Sequence, residues 1–224
     1  MTIKAVLFDI DGTLVDSNDF HVLAWEMAFG DVGAKFSRQQ IHDQIGKGSD
    51  MLIPALLPDA DEDAQKALSE AHGAAFKRLF LDKVRPFASA DALLARVHEA
   101  GQQVVLASSA STEELDHYVA LLDAGEIVAA STSADDVART KPAPDIFATA
   151  LDKLPGIAPD EAIVVGDTPY DIEAAGKCGV AAIGVRSGGF ADAVLSEAGA
   201  IAIYDDVAAL LADYDRSPLG RGAG

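Results

Sequence analysis

The sequence predicts an α/β protein, a largely parallel sheet flanked by helices, interrupted by one all-helical insert. Short apolar runs without polar alternation end at Asp, Ser or Gly, as strands buried on both faces do. Helical patterns fall between these runs, and strand–helix alternation builds an open sheet. Residues 18–82 break the rhythm and contain no convincing strand.

The first run is 4–10 (KAVLFDI). Helices are then expected over 18–30, 37–45, 49–57 and 61–80, punctuated by Gly46, Gly48, Pro54 and Pro58. The insert is entered near Val15–Ser17 and left near Val84–Pro86, so 1–16 and 84–214 form the sheet core and 17–83 the insert. Further strands are expected at 103–108, 127–131, 162–167, 181–186 and 200–204. Helices are expected at 89–100, 112–122, 144–153, 170–178, 190–198 and 206–213. Residues 215–224, with one Pro and three Gly, are expected to form a flexible, frayed tail.

The chain has 224 residues, half of them hydrophobic, enough for a sizeable core and against wholesale disorder. Its formal charge of -19 repels phosphate backbones, which argues against nucleic acid as a partner and otherwise serves solubility. The single cysteine, Cys178, permits no intramolecular disulfide and suits a reducing compartment. The apolar run before Asp9 is too short for a signal peptide, and no segment approaches the ~20 apolar residues of a membrane span. A cytoplasmic protein without membrane attachment is expected. Oligomeric state is unreadable.

Four constellations carry chemistry. Asp9-Ile10-Asp11-Gly12-Thr13 closes the first strand, with Gly12 marking a sharp turn. Asp-x-Asp-Gly also opens calcium loops, but the twelfth position from Asp9 is Phe20, where that loop requires Glu. Ser108-Ser109-Ala110-Ser111 follows the second core strand. It offers either a hydroxyl and free N–H groups for a phosphate or an ordinary N-cap from Ser111 or Thr112. Lys141 precedes a Pro-rich helix start and, alone, reads as a solvated lysine. Gly166-Asp167-Thr168-Pro169-Tyr170-Asp171 ends another strand, where a carboxylate also serves as a helix cap.

In this order, the four motifs resemble those of the haloacid dehalogenase superfamily, in its phosphatase and β-phosphoglucomutase-like branch with a helical cap. The resemblance covers nearly all of 4–187. It implies a Rossmann-like parallel sheet with the first strand central, residues 17–83 as a mobile cap, and a crevice where the chain direction reverses. It assigns Asp9 as nucleophile, Asp11 as general acid and base, and Lys141 as a bridge between phosphate and Asp9. Ser108 and Ser109 would hold the phosphate. Asp9, the Asp11 carbonyl and Asp167 would hold Mg²⁺, with Asp171 in support. Like charges ~4 Å apart repel by ~4 kcal/mol at an effective dielectric of ~20, so this carboxylate cluster needs both the lysine and the metal.

The implied activity is Mg²⁺-dependent hydrolysis of a small phosphorylated metabolite, a sugar phosphate or phosphoglycolate-like ester, through an aspartyl phosphate. Dehalogenases and phosphonatases lack the carboxylate that Asp11 supplies. A sugar phosphomutase is the alternative, because Asp16–Trp25 resembles β-phosphoglucomutase. His21 in that stretch either assists Asp11 or is a partly buried helical histidine. Against the mutase, no Arg follows Gly46-Lys47-Gly48, and Gly166-Asp167 replaces Glu-Asp. Lys47 either contacts an anionic substrate group or is solvated, and Trp25 reads as core. A catalytically inactive binding module, the alternative from another class, predicts loss of a charged site group, yet Asp9, Asp11, Lys141 and Asp167 are all present.

Overall fold

The computed structural model describes residues 2–220. The chain enters through β1 (Ala5–Phe8) and the two-residue β2 (Val15–Asp16), then four helices, α1 (Asn18–Asp31), α2 (Arg38–His42), α3 (Ser49–Leu56) and α4 (Glu62–Leu79). It returns through β3 (Arg85–Pro86) and α5 (Ala90–Glu99), followed by β4 (Gln103–Ala107), α6 (Thr112–Leu121), β5 (Val128–Thr132) and α7 (Asp145–Asp152). Then come β6 (Ala162–Gly166), α8 (Pro169–Lys177), β7 (Ala181–Val185), α9 (Asp192–Glu197), β8 (Ala202–Tyr204) and α10 (Val207–Ala212).

Six strands form one parallel sheet in the order β5-β4-β1-β6-β7-β8. The first strand is thus central, between β4 and β6, and the order reverses around it. All four residues of β1 and all five of β6 are buried, which explains their unbroken apolar sequence. One face packs Val6, Phe8 and Leu106 with α5 and α10; the other packs Leu7, Val105 and Val164 with α7 and α8.

Residues 18–79 supply no strand. α1 to α4 bury an apolar cluster of their own, with Val22, Trp25, Phe29, Ile41, Leu52 and Leu68 at its centre. Their connection to the sheet is a short antiparallel ribbon, Val15 opposite Pro86 and Asp16 opposite Arg85. Two-residue strands lie below the length at which periodicity is readable, so the sequence shows this crossing only as a boundary.

The tail departs from expectation over 215–220. Ser217 and Leu219 are buried, and Gln102 donates through Nε2 to the Leu219 carbonyl at 2.9 Å. Tyr214 donates to Gln102 Oε1 at 2.5 Å, and the Arg96 guanidinium covers the Tyr214 ring. A Pro- and Gly-rich composition signals irregular backbone; it does not reveal that Leu219 has an apolar seat. Residues 221–224 lie outside the described residues.

Candidate active site

Register places the site. Phe8 pairs with Leu106 on one side and Val165 on the other, so the strands end nearly level. The next residues, Asp9, Ala107–Ser108 and Gly166–Asp167, emerge together at the carboxyl edge of the sheet, at the switch point. The Asp9 N–H donates to Val165 O at 2.9 Å and the Ser108 N–H to Thr132 O at 3.0 Å, so both still hang on strand neighbours.

Asp9, Asp167 and Asp171 are buried and each offers an oxygen within 4.8 Å of the others. Lys141, with no exposed surface, reaches into them: its Nζ contacts Asp9 Oδ1, lies 2.8 Å from Asp171 Oδ1 and donates to Ala107 O at 2.9 Å. Asp171 is also what its sequence position suggested, a helix cap. Its Oδ2 accepts from Thr168 N at 3.1 Å and Thr168 Oγ1 at 2.7 Å in a capping box that starts α8. The cap fixes the carboxylate, and the carboxylate fixes the lysine.

Burial pushes the Asp9 carboxyl up to about 7, against the pull of Lys141, with Asp171 and Asp11 adding to the rise. Burial also raises Asp167 well above the carboxylate range, reinforced by Asp9 and Asp171. Burial disfavours the Lys141 charge, but Asp171 and Asp9 outweigh it and hold Lys141 above its usual value. Three ionised carboxylates around one ammonium leave two negative charges uncompensated.

A divalent, oxygen-seeking cation fits this group in charge and donor type. Two further features agree. Asn18 Nδ2 donates to Asp167 Oδ2 at 2.9 Å while Asn18 Oδ1 is buried without a partner. Space beside Asp167 is kept open by glycine: a Cβ at Gly12, where φ is +79°, would sit 2.2 Å from Asp167 Oδ2, and one at Gly188 would sit 2.0 Å from it. Thr13 Oγ1, 2.9 Å from Asp167 Oδ1 and 3.2 Å from Asp9 Oδ2, spans the two carboxylates and can donate to one at a time.

The Asp11 side chain turns away from this cluster. Its Oδ1 accepts from Ser17 Oγ at 2.6 Å and lies 3.1 Å from His21 Nε2; Ser108 Oγ reaches its Oδ2 at 3.4 Å. Burial opposes ionisation of Asp11, yet His21 and the surrounding hydrogen bonds hold its carboxyl below the usual range. Burial likewise works against charge on His21, and Asp11 outweighs it and raises His21. His72, 3.3 Å from His21 Nδ1, is pushed well down by burial and by His21. His21 thus holds a proton more readily than His72, and its two ring nitrogens face Asp11 on one side and His72 on the other. Trp25 stacks on His72 at 4.0 Å and Phe76 on His21 at 3.8 Å. His21 is thus a partly buried helical histidine and an Asp11 neighbour at once.

Ser108 accepts from the Ala110 N–H at 2.9 Å, while Ser111 caps α6 in a box with Glu114, so the N-cap reading of that loop belongs to Ser111 and leaves Ser108 apart from it. Ser109 lines the cavity and donates to Gly46 O of the insert at 3.2 Å. Lys47 also lines the cavity, but its ammonium donates to Gln44 Oε1 at 2.5 Å and lies 4.4 Å over the Tyr170 ring. The insert is clasped to the sheet end by contacts the sequence did not signal. The Gly48 N–H donates to Thr140 Oγ1 at 2.8 Å, the Thr140 N–H to Asp50 Oδ2 at 2.9 Å, and His42 Nε2 sits 2.9 Å from Gly188 O. Thr13 lies in the first motif but was given no role there, and Ser17, Asn18, His72 and Glu114 also escaped sequence reasoning. Of these, only Ser17 and Asn18, beside His21 at the entry to the insert, carried a positional hint.

Comparison with known proteins agrees with this geometry. A family model described as haloacid dehalogenase-like hydrolase matches residues 6–185. The fructose-1-phosphate phosphatase YqaB of Escherichia coli is 27% identical over 81% of this chain and 95% of its own length. A phosphoglycolate phosphatase of Rhodospirillum rubrum is 28% identical over 92% of this chain and 89% of its own. A hydrolase from Pseudomonas syringae superposes with a TM-score of 0.88 at 30% identity, covering 96% of this chain and 99% of that one.

Proposed function

We infer that this chain, which belongs to the haloacid dehalogenase-like hydrolase family, is a Mg²⁺-dependent phosphatase that cleaves a small phosphate monoester through an aspartyl phosphate on Asp9. It is a phosphoric monoester hydrolase, as the phosphatases it resembles are named. One observation carries the mechanism: Asp9 and Asp11, two residues apart, face one cavity with different partners, Asp9 paired to a lysine and Asp11 to a histidine. Two carboxylates with separated environments are what a nucleophile and an acid–base partner require.

Asp9 attacks phosphorus, the ester P–O bond breaks, and the leaving alkoxide takes a proton that Asp11 relays from His21, which leaves Asp11 a carboxylate and His21 neutral. Asp11 then removes a proton from water. The water oxygen attacks phosphorus, the bond to Asp9 breaks, and inorganic phosphate leaves with the Asp11–His21 pair protonated again. Lys141 lowers the charge on Asp9 and on the incoming phosphoryl oxygens. Ser108 and Ser109 bind those oxygens through hydroxyl and N–H groups. Asp9, Asp167 and the Asp11 carbonyl would hold Mg²⁺, which when bound neutralises charge and polarises a phosphoryl oxygen. Asp171 positions Lys141. Residues 17–83 act as a cap hinged at the Val15–Asp16 and Arg85–Pro86 ribbon, excluding water when shut. The substrate is a sugar phosphate or phosphoglycolate-like ester, and the setting is the cytoplasm; no described helix is long and apolar enough to cross a membrane.

The contact between His21 and Asp11 also suits a phosphomutase, as does 24% identity to a β-phosphoglucomutase of Bacillus subtilis. A mutase must grip a second phosphate, ideally with a bidentate arginine, and among the described residues no arginine lines the cavity. The deciding experiment incubates the protein with Mg²⁺ and a panel of phosphate esters, including β-glucose 1-phosphate with catalytic glucose 1,6-bisphosphate. Phosphate release that chelator abolishes is expected. Glucose 6-phosphate with little free phosphate would establish the mutase instead, and undiminished hydrolysis in verified metal-free buffer would exclude the metal role.

A further inference from the structure

The cavity extends well past the phosphate end. It encloses about 460 Å³ between the sheet and the insert, room for a leaving group of several carbons. Its lining also includes Ser49, Ser69, Glu70, Glu114 and Asp135. Glu114 is the most informative of these. It is only 6% exposed, and its Oε2 accepts from Ser111 N at 3.0 Å and Ser111 Oγ at 2.8 Å. Its Oε1 makes no hydrogen bond among the described residues, and Glu114 lines the cavity, so this nearly buried carboxylate has an acceptor oxygen to spare there. Asp135 has the same division, with Oδ2 taken by Thr112 N at 2.8 Å. Ser69 donates to Ser49 at 2.8 Å, leaving the Ser49 hydroxyl proton available.

Cations on these walls are already engaged. Lys77 pairs with Glu113 at 2.7 Å, and Lys47 is held by Gln44 and Tyr170. A carboxylate or second phosphate on the leaving group would meet free carboxylate oxygens; a hydroxyl would donate to them.

Resting on the phosphatase reading above, we propose that the leaving group is an uncharged polyhydroxy fragment, a sugar or polyol, and that Glu114 is the specificity-determining residue that accepts its hydroxyls. Esters carrying a second anionic group are turned away by the same oxygen, with Glu70 and Asp135 adding to the repulsion.

The test compares kcat/KM for a panel of neutral hexose, pentose and polyol monophosphates with 2-phosphoglycolate and fructose 1,6-bisphosphate. p-Nitrophenyl phosphate serves as a reference with no hydroxyls. The wild type should prefer its best polyol phosphate over either anionic ester by at least about tenfold, the scale of one unscreened charge at this range. Glu114→Gln should shrink that preference several-fold, and Glu70→Gln with Asp135→Asn should shrink it further. An amide oxygen at 114 and 135 still accepts from Ser111 and Thr112, and Glu70 is surface-exposed, so the fold is retained. Equal or better turnover of an anionic ester by the wild type overturns the proposal. So does a preference unmoved in the triple variant, or hydrolysis of p-nitrophenyl phosphate with no polyol phosphate cleaved. That last result leaves the phosphatase reading standing, whereas release from no ester at all removes both.

Discussion

At the sheet end of the cavity, Asp9, Ser108 and Asp167 each follow a strand by one residue; at the insert end, His21, His72 and Lys47 come from two helices and a loop. The first group is placed by backbone ladders and held by paired charges in a buried setting. The second is placed by side-chain packing among α1 to α4 and by a few hydrogen bonds across to Thr140 and Gly188. Position by register tolerates little change and suits covalent chemistry. Position by packing permits variation in what the cavity accepts without disturbing the reacting atoms. The division predicts large effects from sheet-end substitutions and graded ones from the insert.

The largest effect is expected at Asp9. Asp9→Asn removes the attacking oxygen's charge, and turnover should fall by roughly 10⁴-fold or more. The thermal midpoint should hold or rise, because burial pushes the native carboxyl up. Phosphate release and thermal unfolding on one preparation check both halves, and retained turnover at wild-type level removes Asp9 as nucleophile.

Lys141 should show the sheet end's other property, its dependence on balanced charge. Lys141→Met leaves Asp9 and Asp171 facing each other without their shared cation. Breaking a buried pair from one side costs ~3–5 kcal/mol. Denaturant titrations at pH 8 should show a loss of that order, smaller at pH 5 where a carboxyl takes a proton. An unchanged midpoint at pH 8 contradicts the ion-pair account.

The same charge excess gives the metal-free protein a pH dependence. Asp9 titrates near 7 in the folded chain against an ordinary 3.8, and Asp167 is raised in the same direction. Between those pH values the folded chain keeps protons that the unfolded chain has released, so stability falls as pH rises from about 4 to 7. Mg²⁺ should offset the fall, with a stabilisation larger at pH 7.5 than at pH 5. Thermal midpoints with chelator and with Mg²⁺ across this range make the measurement, and a metal increment independent of pH counts against the carboxylate cluster as the binding site.

The two ends also differ in how far they could be read from sequence. Asp9, Asp167 and Lys141 were legible because strand ends and fixed motif order identify them, and the four inner strands were legible because burial on both faces leaves no polar alternation, whereas the partly exposed edge strands β5 and β8 were legible from their place in the strand–helix alternation. The ribbon β2–β3 was visible only as a boundary, being two residues per strand. His72 was invisible: its meaning arises from α4 lying beside α1, which places Nε2 3.3 Å from His21 Nδ1 across 51 positions of sequence. Glu114 was hidden differently, since Ser-x-x-Glu reads fully as a capping box and nothing local says that one oxygen is left over. Leu219 was missed because composition reports backbone freedom and not the presence of a complementary apolar seat.

The smallest effects belong to the insert, and within it His21 and Lys47 should separate. His21 touches Asp11, and in the proposed mechanism it passes Asp11 a proton, so His21→Asn should lower kcat by roughly 10–100-fold with little change in KM. Lys47 lines the same cavity yet spends its charge elsewhere, on Gln44 Oε1 and the face of Tyr170. Burial already pushes its ammonium below the usual lysine range, with Glu173 pulling the other way. Moving that group into the cavity would forfeit the amide contact and a cation–π contact of ~0.5–1 kcal/mol. Lys47→Met should therefore change kcat/KM for an uncharged-sugar phosphate by less than about fivefold, since 1 kcal/mol is about a factor of five. Steady-state kinetics of the two variants side by side decide it. A loss at Lys47 as large as that at His21, appearing mainly in KM, would mean that the ammonium swings onto the substrate and that this end of the cavity is rebuilt on binding.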